Sequence, residues 1–410
     1  MSERRTEPAG AGPDPGEQGS EMRGVLREIL SASWVTVLLA IVAALVVSAV
    51  LVMYADPDVR GSAVYFFDRP GDTFSAAWGA IVDTYTALFR GAVFDYRADS
   101  VSRALRPVTE TFVAATPLIF AGLGLGIAFR AGMFNIGAQG QVLAGAAAAA
   151  YVGFALPMPP VVHLVAAVLA AAVIGGLWAG IAGFLKARTG ANEVITTIML
   201  NWISLWLVRY LLDQEYFAPG PNPIAPPVSS NSVFPLLLGS GFNLHLGFLL
   251  ALAAVAAVWW LMERSTIGFK FRAVGANMDA ARTAGINVNL TFVMVMVSAG
   301  LLAGLAGASQ ILGPTRTLRE TTAGNIGFDA ITVALLGRSR PVGVLLASLL
   351  FGAMRAGLPL MQVNSHTPVD LILILQATIV LMIAAPPLVR SMFRLPQPHG
   401  ENRRREGALV

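Results

Sequence analysis

The chain has 410 residues, 55% of them hydrophobic and only 13% charged, about half the charged share of an ordinary soluble domain. A formal charge of +4 gives no argument for a nucleic-acid partner, and the absence of cysteine excludes disulfides and thiolate chemistry. A mean hydropathy of +0.66 arises from repeated apolar runs long enough to cross a hydrocarbon layer of about 30 Å, which excludes a large soluble β protein.

Residues 1–30 are polar and rich in Gly, Pro and Glu, and read as a disordered cytoplasmic tail. The run 33–54 is longer than a signal-peptide core and has no small-residue cleavage site after it, so it reads as a retained first span. Residues 55–106 mix seven acidic and six basic residues with aromatic stretches. They read as an external insertion with a helix at or near the membrane surface, Asp83 counting against a complete extra span. Further spans follow near 107–128, 134–155, 162–185, 191–212, 244–262, 288–311, 342–360 and 369–389. A shorter piece at 326–337 is too short to face lipid upright and fits a re-entrant segment buried in protein. The expected fold is an all-α polytopic membrane protein of about ten membrane helices, with a transmembrane domain over 31–389 and a basic cytoplasmic tail over 390–410.

Lys and Arg set the expected orientation. Lys186 and Arg188, the group Arg264, Lys270, Arg272 and Arg282, the pair Arg338 and Arg340, and the arginines of the tail share one side, the cytoplasm. The stretch 213–241 has no Lys or Arg and is assigned outside; ten crossings with both termini inside satisfy all of these, at the cost of placing Arg316 and Arg319 outside. Gly122, Gly124 and Gly126 share one helix, and Gly300, Gly304 and Gly307 another. Such small residues permit close helix crossings or leave room along a path.

Two polar segments stand out against this background. In the first, Asn135, Gln139 and Gln141 are uncharged amides at the start of a span, where a helix N-terminus attracts polar groups. Asn135 suits either a helix cap or, with Gln139 about one turn on, contact with a neutral polar solute. In the second, Glu193, Thr196, Thr197 and Asn201 lie at the entry to an otherwise apolar helix. Glu193 fits an ion pair or cap near Lys186 and Arg188, or a gating role; Thr196, Thr197 and Asn201 suit bonds across helices or the solute path. Between spans, 263–286 is charged and long enough for one or two short helices, with Gly275 and Gly285 as breakpoints. No phosphate-cradling loop, zinc motif or intramembrane His/Glu set occurs, and the four histidines form no ligand-like cluster, so no catalytic or metal-binding residue is assigned. The spans are also read as too poor in charge for an ion relay.

In four segments, FNIGAQGQ at 134–141, GANEVITTIMLN at 190–201, the stretch 263–286 and GFDAITVALLG at 327–337, the chain resembles a known family. These are the permeases of the branched-chain-amino-acid, ribose and simple-sugar ATP-binding-cassette (ABC) importers, with the nucleoside branch most similar. The segments lie in the family's order within 107–389. The resemblance implies a bacterial inner-membrane subunit that works by alternating access and does no covalent chemistry. It implies a homologous second permease, a cytoplasmic ATP-binding subunit carrying ATP and Mg, and an extracytoplasmic solute-binding lipoprotein. It makes Asn135, Gln139, Gln141, Glu193, Thr196 and Asn201 the expected substrate pathway. It makes 263–286 the coupling element, with Glu263, Arg272, Gly275, Asn277 and Arg282 as contacts to the ATPase. Two features depart from the family's pattern: Gln139 stands where Glu is common, and 55–106 is long. A neutral nucleoside is the expected solute and a simple sugar such as ribose the alternative. Branched-chain amino acids rank lower, no charge pair for their carboxylate and ammonium being evident. An ATP-independent transporter, or a scaffold that transports nothing, would not need the charged internal loop.

Overall fold

The structure is a computed structural model that describes residues 33–365 apart from Ser240, with scattered residues between 374 and 394. The N-terminal tail predicted from sequence, most of the C-terminal tail and most of the predicted span 369–389 lie outside the described residues. The chain divides into two units, one comprising Met1–Tyr54 with Leu373–Val410 and the other Ala55–Ile372. In the first, the continuous described segment is helix α1 (Ser33–Ala55), apolar throughout as a span must be.

The second unit is helical, and among its described residues an isolated antiparallel bridge, Leu236 with His245, is the extended pairing. It opens with α2 (Pro57–Ala63) and α3 (Pro70–Ala92), followed by α4 (Val101–Arg130), α5 (Ala138–Ala155), α6 (Pro160–Thr189) and α7 (Glu193–Leu212). Then come α8 (Gly247–Arg264), the short α9 (Thr266–Ala276) and α10 (Met278–Thr283), and α11 (Val288–Gln310), which runs on into a π turn at Ile311–Thr315. The unit closes with α12 (Ile326–Leu336) and α13 (Pro341–Ser365). Local chemistry explains the boundaries. Ser100 caps α4 by accepting from Arg103 N, Pro160 opens α6 in a first turn that needs no N–H, and Gly190 ends α6 in the left-handed region at φ +70°.

Six helices among the described residues are long and apolar enough to cross a membrane, or seven if the bent pair Leu39–Ala55 and Pro57–Ala63 is one span. The predicted count of ten is not confirmed among the described residues. Helix α5 is diluted by Gln139 and Gln141, α12 has only 11 residues as its sequence suggested, and 369–389 lies mostly outside the described residues. Asp83 does not interrupt α3, because its side chain sits on an exposed face of the 23-residue helix. An adjoining face packs on α13, where Gly91 meets Gly357 so closely that an added methyl would lie 2.9 Å from its Cα.

Helix α11 is the centre of the unit, packed by α4, α5 and α6. The close approach is built from missing side chains. A methyl placed on Gly304 would lie 2.1 Å from the Ala171 carbonyl oxygen of α6, one on Gly300 2.3 Å from the Gly175 oxygen, and one on Gly307 2.2 Å from the Val142 oxygen of α5. Helix α4 joins through Gly124, where a methyl would meet the Ala299 oxygen at 2.5 Å. These glycines therefore serve packing between backbones, the arrangement that lets membrane helices associate without a hydrophobic driving force.

The loop after α7 is an ordered cap over one end of this bundle. Its backbone N–H groups donate from Ala225 to Leu318, Val228 to Arg316, Ser229 to Gly153 and Phe234 to Leu312. His245 closes it: the buried ring stacks on Phe234, accepts from Gly247 N at 3.1 Å and lies against Gly313 of the π turn. Burial pushes the His245 pKa down to about 4, so the ring is neutral in the fold.

Candidate functional site

Helix α5 starts four residues later than its hydrophobic run. Gly132 turns the chain at φ +73° after α4, and residues 131–137 continue irregularly until Gly137 takes the cap position. Such backbone leaves polar groups without helical partners, a state tolerated at membrane depth only inside protein. Side chains supply the partners. The Asn135 and Gln141 carboxamides bond to each other in both directions, at 3.1 and 3.0 Å, and Asn135 Oδ1 also accepts from Gly137 N at 2.9 Å. From α7, Asn201 donates to the Ile136 carbonyl at 2.9 Å and accepts from Gly140 N at 2.8 Å. Thr197 accepts from Ile136 N, and Ser204 donates to the Gly140 carbonyl.

Gln139 points the other way. Its Nε2 donates to the Gly324 carbonyl at 2.6 Å and its Oε1 accepts from Gly327 N at 2.9 Å. The beginnings of α5 and α12 therefore abut, so tightly that a methyl on Gly327 would lie 2.2 Å from Gln139 N. The 18-residue α5 and the 11-residue α12 thus meet at their N-terminal ends.

Asn135, Gln139, Gln141 and Asn201 thus belong to one knot, in which Asn135 and Gln141 are fully buried and Gln139 keeps partial exposure. The cap of α5 is Gly137 rather than Asn135. Glu193 sits at the edge of the knot, near the Phe134 backbone, and its carboxylate accepts from Lys186 at 2.5 Å. Asn192, not Glu193, caps α7, and the Thr196 hydroxyl is turned to its own helix, donating to the Asn192 carbonyl.

One charged group escaped the sequence reading. Arg355, alone in the apolar run of α13, donates from Nη2 to Asp329 Oδ2 of α12 at 2.5 Å. A lone ionisable residue inside a predicted span was the available signal. The spans therefore hold a charge pair after all.

The stretch 263–286 forms the two short helices its sequence suggested. Ser265 caps α9 by accepting from Gly268 N, and Asn277 caps α10 by accepting from Asp279 N and Ala280 N, both at 2.9 Å. Gly275 faces inward, where a methyl would lie 2.3 Å from the Arg130 carbonyl oxygen. Glu263 accepts from Arg130 at 2.7 Å within the field of Arg272 and Arg340. Arg282 makes an open 3.5 Å pair with Asp279. The outward apolar surface consists of Ile267, Phe269 and Met278, which sequence reasoning did not single out.

The family model described as "Branched-chain amino acid transport system / permease component" matches residues 108–385. A guanosine ABC transporter permease protein of Bacillus subtilis is 39% identical over 72% of this chain and 86% of its own length. A glucose ABC transporter permease protein of Haloferax volcanii is 37% identical over 67% and 75%, and a nucleoside ABC transporter permease protein of Lactococcus lactis 32% identical over 70% and 81%. Both of these bacteria that supply nucleoside or guanosine relatives also supply a second relative named for the same solute, at 27% and 28% identity. No solved structure matches the chain.

Proposed function

Because the chain belongs to the branched-chain amino acid transport system permease family, we propose that it is the subunit through which an ATP-driven importer moves nucleosides across the inner membrane. As a multi-pass ABC permease subunit it is not itself an enzyme; ATP hydrolysis and solute capture belong to partner subunits. We take ATP and Mg to bind the cytoplasmic partner, and a solute-binding lipoprotein to deliver solute from outside. The paired relatives in two bacteria support a second, homologous permease beside this one.

The observation that carries the nucleoside reading is the pair of relatives named for guanosine and nucleosides, each spanning more than two thirds of this chain. The knot is uncharged, as a path for a neutral solute requires, but its amides bond to backbone and to each other, and Gln139, which keeps partial exposure, would reach a solute only by giving up its Gly324 or Gly327 partner. By the positive-inside rule the end holding Arg130, Glu263, Arg272 and Arg340 is cytoplasmic, as are both termini. Helices α9 and α10 then present Ile267, Phe269 and Met278 to the ATP-binding subunit, while Gly275 and the Glu263–Arg130 pair hold them to the path-forming body. The external segment 55–106, with exposed Phe74 and Trp78 on α3, is left for the membrane surface or the binding protein.

The glucose relative supports a simple sugar as the second reading. Uptake of radiolabelled guanosine into vesicles carrying this chain and its partner subunits separates the two, with glucose, ribose and leucine as competitors. Saturable guanosine uptake that needs the ATPase and ignores the sugars supports the nucleoside reading. Uptake of glucose or ribose in its place discards that solute, and uptake that persists without the ATPase overturns the importer role.

A further inference from the structure

Among the described ion pairs, Arg130–Glu263 and Lys186–Glu193 lie at helix ends, while Asp329–Arg355 lies within the bundle. Arg355 is roughly 21 Å along α13 from Pro341 at 1.5 Å per residue, well inside a hydrocarbon layer of about 30 Å. Asp329 lies on α12, the half-helix whose start abuts α5 at Gln139. At that depth the pair is not closed off: the Arg355 and Asp329 side chains remain 23% and 22% exposed. A charged group open to lipid is costly, so intramembrane charges face the bundle interior or water.

The surroundings define a stripe. Asn325 precedes Asp329 by one helical turn and is exposed, Phe328 beside it is 48% exposed, and Thr332 continues the same face half-buried. The other face of α12, with Ile326, Gly327, Ala330, Val333 and Ala334, is buried, and α12 packs on α4, α5 and α13. Helix α12 therefore has an apolar packed side and a mixed open side, on which Asn325, Asp329 and Thr332 lie beside the exposed apolar side chains of Phe328 and Leu335.

We propose that Asp329 and Arg355 line the solute path and determine specificity, with Asn325 on the same wall and Phe328 offering a flat apolar face. This rests on the permease reading above. The pair offers an acceptor next to donors. It matches a neutral solute with an N–H beside a carbonyl, as on the pairing edge of a guanine or hypoxanthine base, and Phe328 would stack on such a ring. On entry the solute shares the carboxylate and guanidinium in place of water, so no charge is left unpaired in the bilayer.

The chain has no cysteine, so single thiols report position cleanly. Asn325→Cys and Leu346→Cys are each placed in the full transporter in vesicles and treated on both sides with a membrane-impermeant thiol reagent. Leu346 is exposed on α13 half a helical circumference from Arg355 and serves as the lipid-side reference. Asn325→Cys is expected to react at least tenfold faster, and to be protected by guanosine. Equal rates overturn the proposal; protection by glucose instead keeps the path and discards only the nucleoside.

A structural pin is separated from a recognition pair by exchange of the charges. Asp329→Asn should raise the KM for guanosine about tenfold, more than it lowers kcat. Asp329→Arg combined with Arg355→Asp restores a pair but inverts the pattern presented to solute. Recovery of guanosine uptake in that double variant would overturn the recognition role, and folded protein with uptake still lost supports it. Should the double variant fail to fold, the thiol rates still decide.

Discussion

The seam between α6 and α11 and the junction where α5, α12 and α13 meet both bring backbones close at glycine, but only the junction adds side-chain hydrogen bonds and an ion pair. In the seam, Gly175, Gly300 and Gly304 bring two backbones into direct contact, leaving no side chain that could move to another partner. At the junction, Gln139, Asn201 and the Asp329–Arg355 pair hold irregular backbone and a half-helix by hydrogen bonds that another partner could replace. Close-packed interfaces resist displacement. On the permease reading, we infer that the seam belongs to a fixed frame and that the α12–α13 hairpin moves as the path opens and closes, although α13 also meets α3 and α4 closely at Gly357 and Gly352.

The seam should break most severely. Gly304→Leu cannot be accommodated beside the Ala171 carbonyl, and a loss of more than about 4 kcal/mol is expected, read as absence of folded protein in the membrane. At the junction, Asn201→Leu leaves Gly140 N–H and the Ile136 carbonyl unpaired, at about 1–3 kcal/mol each. The protein should still insert but melt earlier and lose uptake, and an unchanged melting temperature would remove Asn201 from the knot.

The cap over the frame makes a smaller, pH-dependent contribution. His245 is neutral in the fold with its pKa near 4, whereas the unfolded ring titrates near 6.5, so the unfolded state binds more protons between these values. Stability is therefore full above about pH 6.5 and falls as pH drops towards 4, by on the order of 2 kcal/mol at pH 5. Limited proteolysis of the loop after α7 at pH 7 and pH 5 measures it, and the difference should shrink in His245→Gln. Smallest for the fold is Phe269→Ser on exposed α9, expected within about 0.5 kcal/mol. Its effect should appear instead as solute uptake uncoupled from ATP hydrolysis.

The sequence revealed more of the frame than of the junction. Long apolar runs and glycine spacing are local signals, and α4, α6, α8 and α11 follow them to within a few residues at most of their ends. The polar segments were visible as composition, but not their pairing: Asn135 with Gln141 spans six residues, Gln139 with Gly327 nearly two hundred. The late start of α5 was hidden because Phe134 and Ile136 continue the apolar run, and only the turn at Gly132 and the Asn135 carboxamide decide against it. Arg355 was legible and passed over, since its partner lies on another helix.

Spin-label distances in the full transporter test the division most directly. One pair, on Leu177 of α6 and Leu290 of α11, crosses the seam; a second, on Leu177 and Leu346 of α13, reaches the hairpin, and all three sites are exposed. With a non-hydrolysable ATP analogue the account predicts an unchanged α6–α11 distance and a shifted α6–α13 distance. A shift across the seam with the hairpin fixed would contradict it.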